Sequence, residues 1–180
     1  MGLKDLYRHV RTDVLPKEQL RRRNPRAYVT HRAVFRGDPS RVDLAPEVYV
    51  AGPSILVCED GGGLTGSRIV VGERTYIGEF NNIRTAGAPI VIGARCLISQ
   101  HITIVGSNHG TAPGRLIVDQ PWSGDGVTIG DGVWVGAGSV ILPGTRIGDG
   151  VVVAANSVVR GEIPADSIVA GAPARVIRGR

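Results

Sequence analysis

The most regular pattern of hydrophobic positions in the chain lies between residues 127 and 164. Six aliphatic residues recur there at intervals of six positions: Ile129, Val135, Ile141, Ile147, Val153 and Val159. Six residues turn an α-helix by about 600°, so successive members would not share a helical face. Six is a multiple of the two-residue strand period, and Val and Ile favour strands. The pattern therefore predicts stacked parallel β coils, each burying the aliphatic row of its neighbours.

The same spacing occurs earlier in the chain, in shorter series. Two groups of three aliphatic residues, separated by three extra residues, share it: Val71, Ile77 and Ile83, then Ile92, Ile98 and Ile104. Residues 110–128 interrupt the repeat, and a long loop in a compact domain usually has a function. We therefore divide the chain into an N-terminal helical, basic segment (1–27), a β-helix (28–164) with this excursion loop, and a C-terminal cap (165–180).

The N-terminal segment shows helical periodicity. Five apolar residues form one stripe among charged neighbours: Leu3, Leu6, Tyr7, Val10 and Val14. Pro16 is expected to break or restart the helix. We expect the helix to pack on the β-helix or on a neighbouring subunit; a basic amphipathic membrane anchor is the alternative.

Charge and composition narrow the range of functions. The net charge is +5 and the pI is near 9.8, but aromatic residues make up only 4% of the chain, which argues against nucleic-acid binding. We found no apolar run near the roughly 18 residues of a transmembrane segment and no signal-peptide core, so we expect a cytoplasmic protein. Cys58 and Cys96 are expected to fill the core without a disulfide.

Three motifs in the repeat resemble a known family. Residues 129–136 (IGDGVWVG), 141–144 (ILPG) and 170–174 (AGAPA) are similar to the hexapeptide-repeat acyltransferases, particularly galactoside and maltose acetyltransferases and capsular-polysaccharide O-acetyltransferases. The resemblance covers about residues 71–178. It implies an all-β fold, a left-handed parallel β-helix with about 18 residues per coil. It also implies a homotrimer with active sites between subunits, and acetyl-CoA as the acyl donor.

The resemblance implies a catalytic base. In the galactoside and maltose enzymes, a histidine ends the hexad before the excursion loop, and the matching residue here is His109. Imidazole suits proton transfer near neutral pH, although position alone fits an ordinary surface histidine equally well. The chain departs from those enzymes at Gly110, where they have proline. Residues 107–109 (SNH) and 119–122 (DQPW) look more like the capsular-polysaccharide branch.

Six residues match positions near CoA in the family: Trp134, Ala137, Ala155, Arg160, Arg175 and Arg178. Trp134 would line the CoA groove, and the two small alanines would let the pantetheine lie close to the coil. Arg175 and Arg178 would meet the nucleotide phosphates, which guanidinium geometry suits. Arg160 stands where the galactoside enzyme has a threonine, so its role stays open.

Three residues are candidates for binding the acceptor. Asn82 and Arg84 precede the coil of His109, and both can hydrogen-bond to sugar hydroxyls. Trp122, in the excursion loop, could stack on the face of a sugar or simply anchor the loop.

The repeat, the family motifs and the candidate site residues together predict an O-acetyltransferase. It would move an acetyl group from acetyl-CoA to a hydroxyl of a sugar or surface-polysaccharide precursor. Alternatives are acetylation of an antibiotic or other small natural product, N-acetylation of an amino sugar, and a structural β-helix without activity. A γ-type carbonic anhydrase would need three zinc-binding histidines, two of them five residues apart. The four histidines of this chain lack that spacing, so we expect no metal: His9, His31, His101 and His109.

Overall fold

The computed structural model describes residues 2–180; Met1, which belongs to the predicted N-terminal segment, lies outside the described residues. Helices α1 (Leu3–His9) and α2 (Leu15–Arg23) are joined by a π-helical turn, Val10–Val14. Pro16 is the second residue of α2, and the helical conformation continues through it from the π-helical turn, so the proline does not break the helix. Among residues 2–180, no helix is long and apolar enough to cross a membrane.

The rest of the chain consists of short strands and two 3-10 turns, Pro39–Arg41 and Ile117–Asp119. The strands, numbered in chain order, are β1 (Tyr28–Val29), β2 (Val34–Gly37), β3 (Val42–Leu44), β4 (Tyr49–Val50), β5 (Ile55–Cys58), β6 (Ile69–Val71), β7 (Tyr76–Ile77), β8 (Asn82–Arg84), β9 (Ile90–Ile92), β10 (Leu97–Ile98), β11 (Thr103–Val105), β12 (Asn108–His109), β13 (Trp122–Ser123), β14 (Val127–Ile129), β15 (Trp134–Val135), β16 (Val140–Ile141), β17 (Arg146–Ile147), β18 (Val152–Val153), β19 (Val158–Val159), β20 (Glu162–Ile163), β21 (Ser167–Gly171) and β22 (Ala174–Gly179).

Three sheets form the faces of a left-handed parallel β-helix. The first sheet has the order β1-β4-β7-β10-β15-β18-β21-β22, the second β19-β16-β11-β8-β5-β2, and the third β20-β17-β14-β9-β6-β3. The chain therefore visits the first, second and third sheets in turn, and each circuit is one coil. The closing strand β22 pairs antiparallel with β21, which caps the first sheet. The predicted fold, an all-β left-handed β-helix with a short helical N-terminal segment and a C-terminal cap, is confirmed.

The core consists of the aliphatic residues that define the hexad. The six members of the main series are at most 3% exposed: Ile129, Val135, Ile141, Ile147, Val153 and Val159. Burying each such side chain stabilises the fold by about 1.5–3 kcal/mol. Small hydroxyl residues lie inward at the turns, where Thr145 Oγ1 donates to the carbonyl of Leu142 at 2.6 Å. Because these hydroxyls bond to turn carbonyls, they can be buried without leaving unpaired polar atoms.

A buried asparagine links consecutive coils beneath the second sheet. Asn81 is 1% exposed, and its amide nitrogen donates to the carbonyls of Gly78 and Ser99 at 3.1 and 2.8 Å. Its amide oxygen accepts from the backbone N–H of Ile102 at 2.7 Å. These bonds fix the backbone that leads into β8, the strand of Asn82 and Arg84.

Three extended connections leave the β-helix at the same edge, where the second sheet passes to the third. They join β5 to β6 (59–68), β8 to β9 (85–89) and β11 to β14 (106–126). In a three-sided helix this edge lies opposite the face formed by the first sheet. The edge therefore gathers loops from successive coils into one surface, which contains His109.

Candidate active site

His109 lies in the neck of the excursion loop. It belongs to β12, which pairs antiparallel with β13, so that Asn108 is opposite Ser123 and His109 is opposite Trp122. The His109 side chain is exposed to solvent. Its ring lies edge-on to the Trp122 ring, with the centroids 4.9 Å apart and the planes at 68°. Among residues 2–180, its imidazole nitrogens form no hydrogen bond, so both remain available to a substrate.

Gly110 closes the neck. Its N–H donates to the carbonyl of Pro121 at 3.0 Å, one step beyond the β12–β13 ladder. A Cβ at Gly110 would lie 2.9 Å from both Gln120 Cβ and Pro121 O. Proline at this position would lack the donor and would add atoms where the two strands touch. This neck therefore suits glycine at position 110, which keeps the backbone N–H and adds no side chain.

Gln120 holds the interior of the excursion loop. Its side chain is 5% exposed. Its Oε1 accepts from the N–H of Ala112 at 2.7 Å, while its Nε2 donates to the carbonyls of Ala112 and Arg115 at 3.0 and 3.2 Å. The amide therefore replaces the backbone pairing that this part of the loop lacks. Sequence reasoning assigned Gln120 no role, because no local pattern distinguishes it from the exposed Gln100.

Trp122 lies against a glycine-rich loop from an earlier coil. The backbone N–H of Trp122 donates to the carbonyl of Gly62 at 2.8 Å. A Cβ at Gly61 would lie 2.5 Å from Trp122 Cζ3, and one at Gly62 would overlap the indole at Cγ. The ring therefore packs directly on glycine backbone. Nothing in the sequence around Trp122 connects the excursion loop with these glycines, which lie about 60 residues earlier.

The predicted acceptor residues Asn82 and Arg84 lie on the outer face of the second sheet. Strand β8 pairs with β11, so that Asn82 is opposite Thr103 and Arg84 is opposite Val105. The Nε of Arg84 donates to the Asn82 side-chain oxygen at 2.8 Å. Arg84 is exposed, and it forms no ion pair with a carboxylate among residues 2–180. Since Val105 is the last residue of β11, Arg84 lies at the end of the sheet next to the His109 edge.

The predicted CoA residues are divided between two parts of the molecule. Trp134, on β15, projects from the first sheet with 50% of its surface exposed, and its indole N–H donates to Ser99 Oγ at 3.1 Å. Ala137 and Ala155 follow at the next turn of successive coils, where the N–H of Asn156 donates to the carbonyl of Ala137 at 2.8 Å. Arg160 lies elsewhere, between β19 and β20, on the same edge as His109.

The tail arginines lie on β22 at the end of the first sheet. Arg175 is opposite Ala170 and Arg178 is opposite Ile168. Both are exposed, and within the described chain neither forms an ion pair with a carboxylate. Arg175 and Arg178 therefore share the sheet of Trp134, and their charges are available to an anionic ligand.

The predicted base and most of the predicted CoA residues lie on opposite sides of one chain. His109 occupies the edge between the second and third sheets, and Trp134 lies on the first sheet. Within one chain, His109 and Trp134 are therefore separated by the width of the β-helix.

Neither cysteine has the properties of a catalytic nucleophile. Cys58 and Cys96 are free and buried. Burial raises the pKa of the Cys58 thiol to about 11, and burial likewise raises the pKa of Cys96. A neutral thiol is a poor nucleophile. Among residues 2–180, no group of three or more histidine, cysteine or carboxylate side chains is arranged to hold a metal ion.

Comparisons with known proteins agree with the fold and the repeat. The family model for the bacterial transferase hexapeptide, which consists of six repeats, matches residues 126–161. The crystal structure of a hexapeptide-repeat-containing acetyltransferase from Vibrio cholerae is 33% identical, with a TM-score of 0.62 over 74% of this chain and 70% of that chain. A second structure of that protein, complexed with acetyl coenzyme A, is 28% identical, with a TM-score of 0.60 over 89% of this chain and 73% of that chain.

Two Escherichia coli K12 proteins are similar in sequence. One, named for O-acetyl transfer in lipopolysaccharide biosynthesis, is 40% identical over 97 residues, which are 49% of this chain and 50% of that protein. The other, galactoside O-acetyltransferase, is 35% identical over 113 residues, which are 63% of this chain and 55% of that protein. The chain spans about half the length of the curated relatives it matches.

Proposed function

Because the chain belongs to the family of hexapeptide-repeat acetyltransferases, we propose that it transfers an acetyl group from acetyl-CoA to a hydroxyl of a sugar or surface-polysaccharide precursor. The observation that carries this proposal is His109, which is exposed in the neck of a closed loop with both imidazole nitrogens available. The relative named for lipopolysaccharide O-acetylation supports a saccharide acceptor. Since the donor is a cytosolic metabolite, we propose a cytoplasmic location.

His109 acts as a general base in this mechanism. A neutral imidazole nitrogen removes the proton of the acceptor hydroxyl while the oxygen forms a bond to the thioester carbonyl carbon. The carbon–sulfur bond then breaks, and the imidazolium returns its proton to the departing sulfur. No covalent acyl-enzyme is needed, in keeping with the two buried, neutral thiols.

Arg84 and Asn82 bind the acceptor in this proposal. They lie side by side on the second sheet, and Arg84 lies nearest the edge that contains His109. The Arg84 guanidinium has donors free for sugar hydroxyls or for an acidic group on the saccharide. Trp122 packs on Gly61 and Gly62 beside the His109 ring, which supports the alternative that it anchors the loop rather than stacking on a sugar.

The donor lies along the first sheet. Trp134 lines the groove, Ala137 and Ala155 leave room for the pantetheine, and Arg175 and Arg178 meet the nucleotide phosphates. Each of these side chains is placed on or beside the first sheet.

A homotrimer reconciles the donor surface with the base on the opposite side of the chain. In a cyclic trimer every interface is head-to-tail, so one surface of a subunit meets a different surface of the next. The first sheet of one subunit would then face the His109 edge of its neighbour. Arg160, on that edge, would reach the same CoA from the neighbouring subunit.

The test is a calorimetric titration of the folded protein with CoA and acetyl-CoA. We expect about one binding site per chain, because each cyclic interface forms one groove. His109→Ala should bind acetyl-CoA as tightly as the wild type. Absence of binding by folded protein would contradict the proposal. If binding is found, acceptors should be compared next: polysaccharide precursors, amino sugars and hydroxylated antibiotics.

A further inference from the structure

The glycine-rich loop between β5 and β6 is held by a bridge within the loop and by contacts at its base. Gly61 and Leu64 form an isolated antiparallel bridge, with N–H to carbonyl distances of 3.2 and 2.9 Å. At the base of the loop, Asp60 pairs with Arg41 at 2.7 Å and accepts from the N–H of Ser67 at 3.1 Å. The loop is therefore held internally and at its base, and it presents glycine backbone outward.

Trp122 from the fourth coil occupies this glycine surface. One part of its indole lies over Gly61 and Gly62, and the backbone N–H of Trp122 donates to the Gly62 carbonyl. The same indole meets the His109 ring at 4.9 Å. Trp122 thus lies between a loop of the second coil and the proposed base.

We infer that Gly61 and Gly62 form a seat for Trp122, and that Trp122 positions the His109 imidazole. His109 is exposed and has no hydrogen bond among residues 2–180, so an edge-to-face ring contact is what restricts its rotamer. The catalytic consequence of this seat rests on the proposed acetyl transfer, whereas the geometric inference stands without it. Trp122 is therefore a positioning residue.

The seat depends on glycine for two physical reasons. A Cβ at Gly61 or Gly62 would occupy the volume of the indole. Gly62 also has a φ of +57°, a backbone conformation that most side chains disfavour. Gly63 provides a matched control, because its φ is +88° but a Cβ there would have no heavy atom within 4 Å. Gly63→Ala therefore introduces backbone strain without touching Trp122.

The position of His109 can be read by NMR without any substrate. The four histidines give four imidazole Cε1–H signals, and His109→Gln identifies the signal of His109. We expect this signal to be displaced by the ring current of Trp122. His101, which stacks on Phe80 at 4.8 Å, provides an internal reference from another part of the molecule.

Substitution of the seat should move this signal selectively. In Gly61→Ala, Gly62→Ala and Trp122→Ala, the His109 signal should shift towards that of a solvated histidine while the His101 signal stays in place. Gly63→Ala should leave both signals unchanged, and Trp122→Phe should retain part of the displacement. An unchanged His109 signal in Gly62→Ala and Trp122→Ala would overturn the inference.

Kinetics test the consequence for catalysis. With acetyl-CoA and an accepted saccharide, Gly62→Ala and Trp122→Ala should lower kcat by about tenfold to a hundredfold, since small misplacements of a reacting group have effects of this size. The KM for acetyl-CoA should change by less than about twofold, because the donor surface is untouched. Gly63→Ala should retain the wild-type kcat.

The outcomes separate the two proposals. A rise only in acceptor KM would assign Trp122 to acceptor binding and overturn its positioning role. If wild-type protein neither binds acetyl-CoA nor transfers acetyl groups, the proposed function fails, and the NMR comparison still decides whether the glycine seat positions His109. Thermal unfolding of each variant distinguishes a local displacement of Trp122 from general loss of structure.

Discussion

The backbone N–H of Gly110 donates to the carbonyl of Pro121 at 3.0 Å, and this bond closes the excursion loop immediately beyond His109 and Trp122. Two residues that are eleven positions apart thereby make the neck of a loop that is otherwise irregular. The orientation of His109 depends on this neck, because its ladder partner Trp122 is the next residue after Pro121.

Gly110→Pro should loosen the neck, because proline has no N–H to donate to the carbonyl of Pro121. The lost hydrogen bond, at about 1 kcal/mol, should raise the hydrogen-exchange rate of the Trp122 amide about fivefold. Gly110→Ala keeps the donor and separates the effect of the bond from that of added volume. Equal exchange in wild type and Gly110→Pro would show that the neck does not depend on this bond.

His109→Ala should abolish most of the transfer activity. Loss of a general base typically lowers turnover by about 10²–10⁴-fold. The Kd for acetyl-CoA, measured by calorimetry, should stay at the wild-type value, because the predicted donor surface lies on the first sheet. Turnover close to that of wild type would exclude His109 as the base.

Mixed oligomers test whether two chains share one site. We expect His109→Ala and Trp134→Ala to be nearly inactive alone, since one removes the base and the other part of the donor groove. After co-refolding in equal amounts, about a quarter of the interfaces of a cyclic trimer would combine an intact His109 with an intact Trp134 from the neighbour. The mixture should therefore regain activity. If each chain contained a complete site, mixing would restore nothing.

Gln120→Glu should open the excursion loop. The substitution keeps an acceptor for the N–H of Ala112 but removes the donor to the carbonyls of Ala112 and Arg115. Leaving such groups unpaired costs about 1–3 kcal/mol. Trypsin cleavage after Arg115 should accelerate accordingly. Gln100→Glu, at an exposed position, is the control and should be cleaved at the wild-type rate.

The cysteines should make stability fall at high pH. The pKa of Cys58 is raised by burial to about 11, so between the ordinary thiol pKa and that value the unfolded chain ionises while the folded chain does not. The folded state then binds more protons, and the free energy of unfolding falls as pH rises. Denaturant titrations from pH 8 to above 10 should show this decline, and Cys58→Ala should reduce it.

At pH 8 the native thiols should resist iodoacetamide, and a rapid reaction would contradict their burial.

The β-helix can be predicted from the sequence alone, because its signal is local and repeated. An aliphatic residue at every sixth position and small residues at the turns decide which side chains are buried in each coil, as the main series from Ile129 to Val159 shows. The motifs carrying the family resemblance lie within that repeat. His109 ends a hexad directly before the repeat stops, but that position fits an ordinary surface histidine equally well, and it was the family resemblance that singled it out.

The contacts of the loops can be seen only in the folded chain. The contact of Trp122 with Gly61 and Gly62 joins segments from different coils, and its existence depends on all the long connections leaving the helix at one edge. The burial of Gln120, as opposed to the exposure of Gln100, likewise follows from loop closure and from no local pattern. The separation of His109 from Trp134 arises because the coils wrap around a core. Spacing along the chain specifies which residues face inward, whereas stacking of distant coils specifies which outward residues meet.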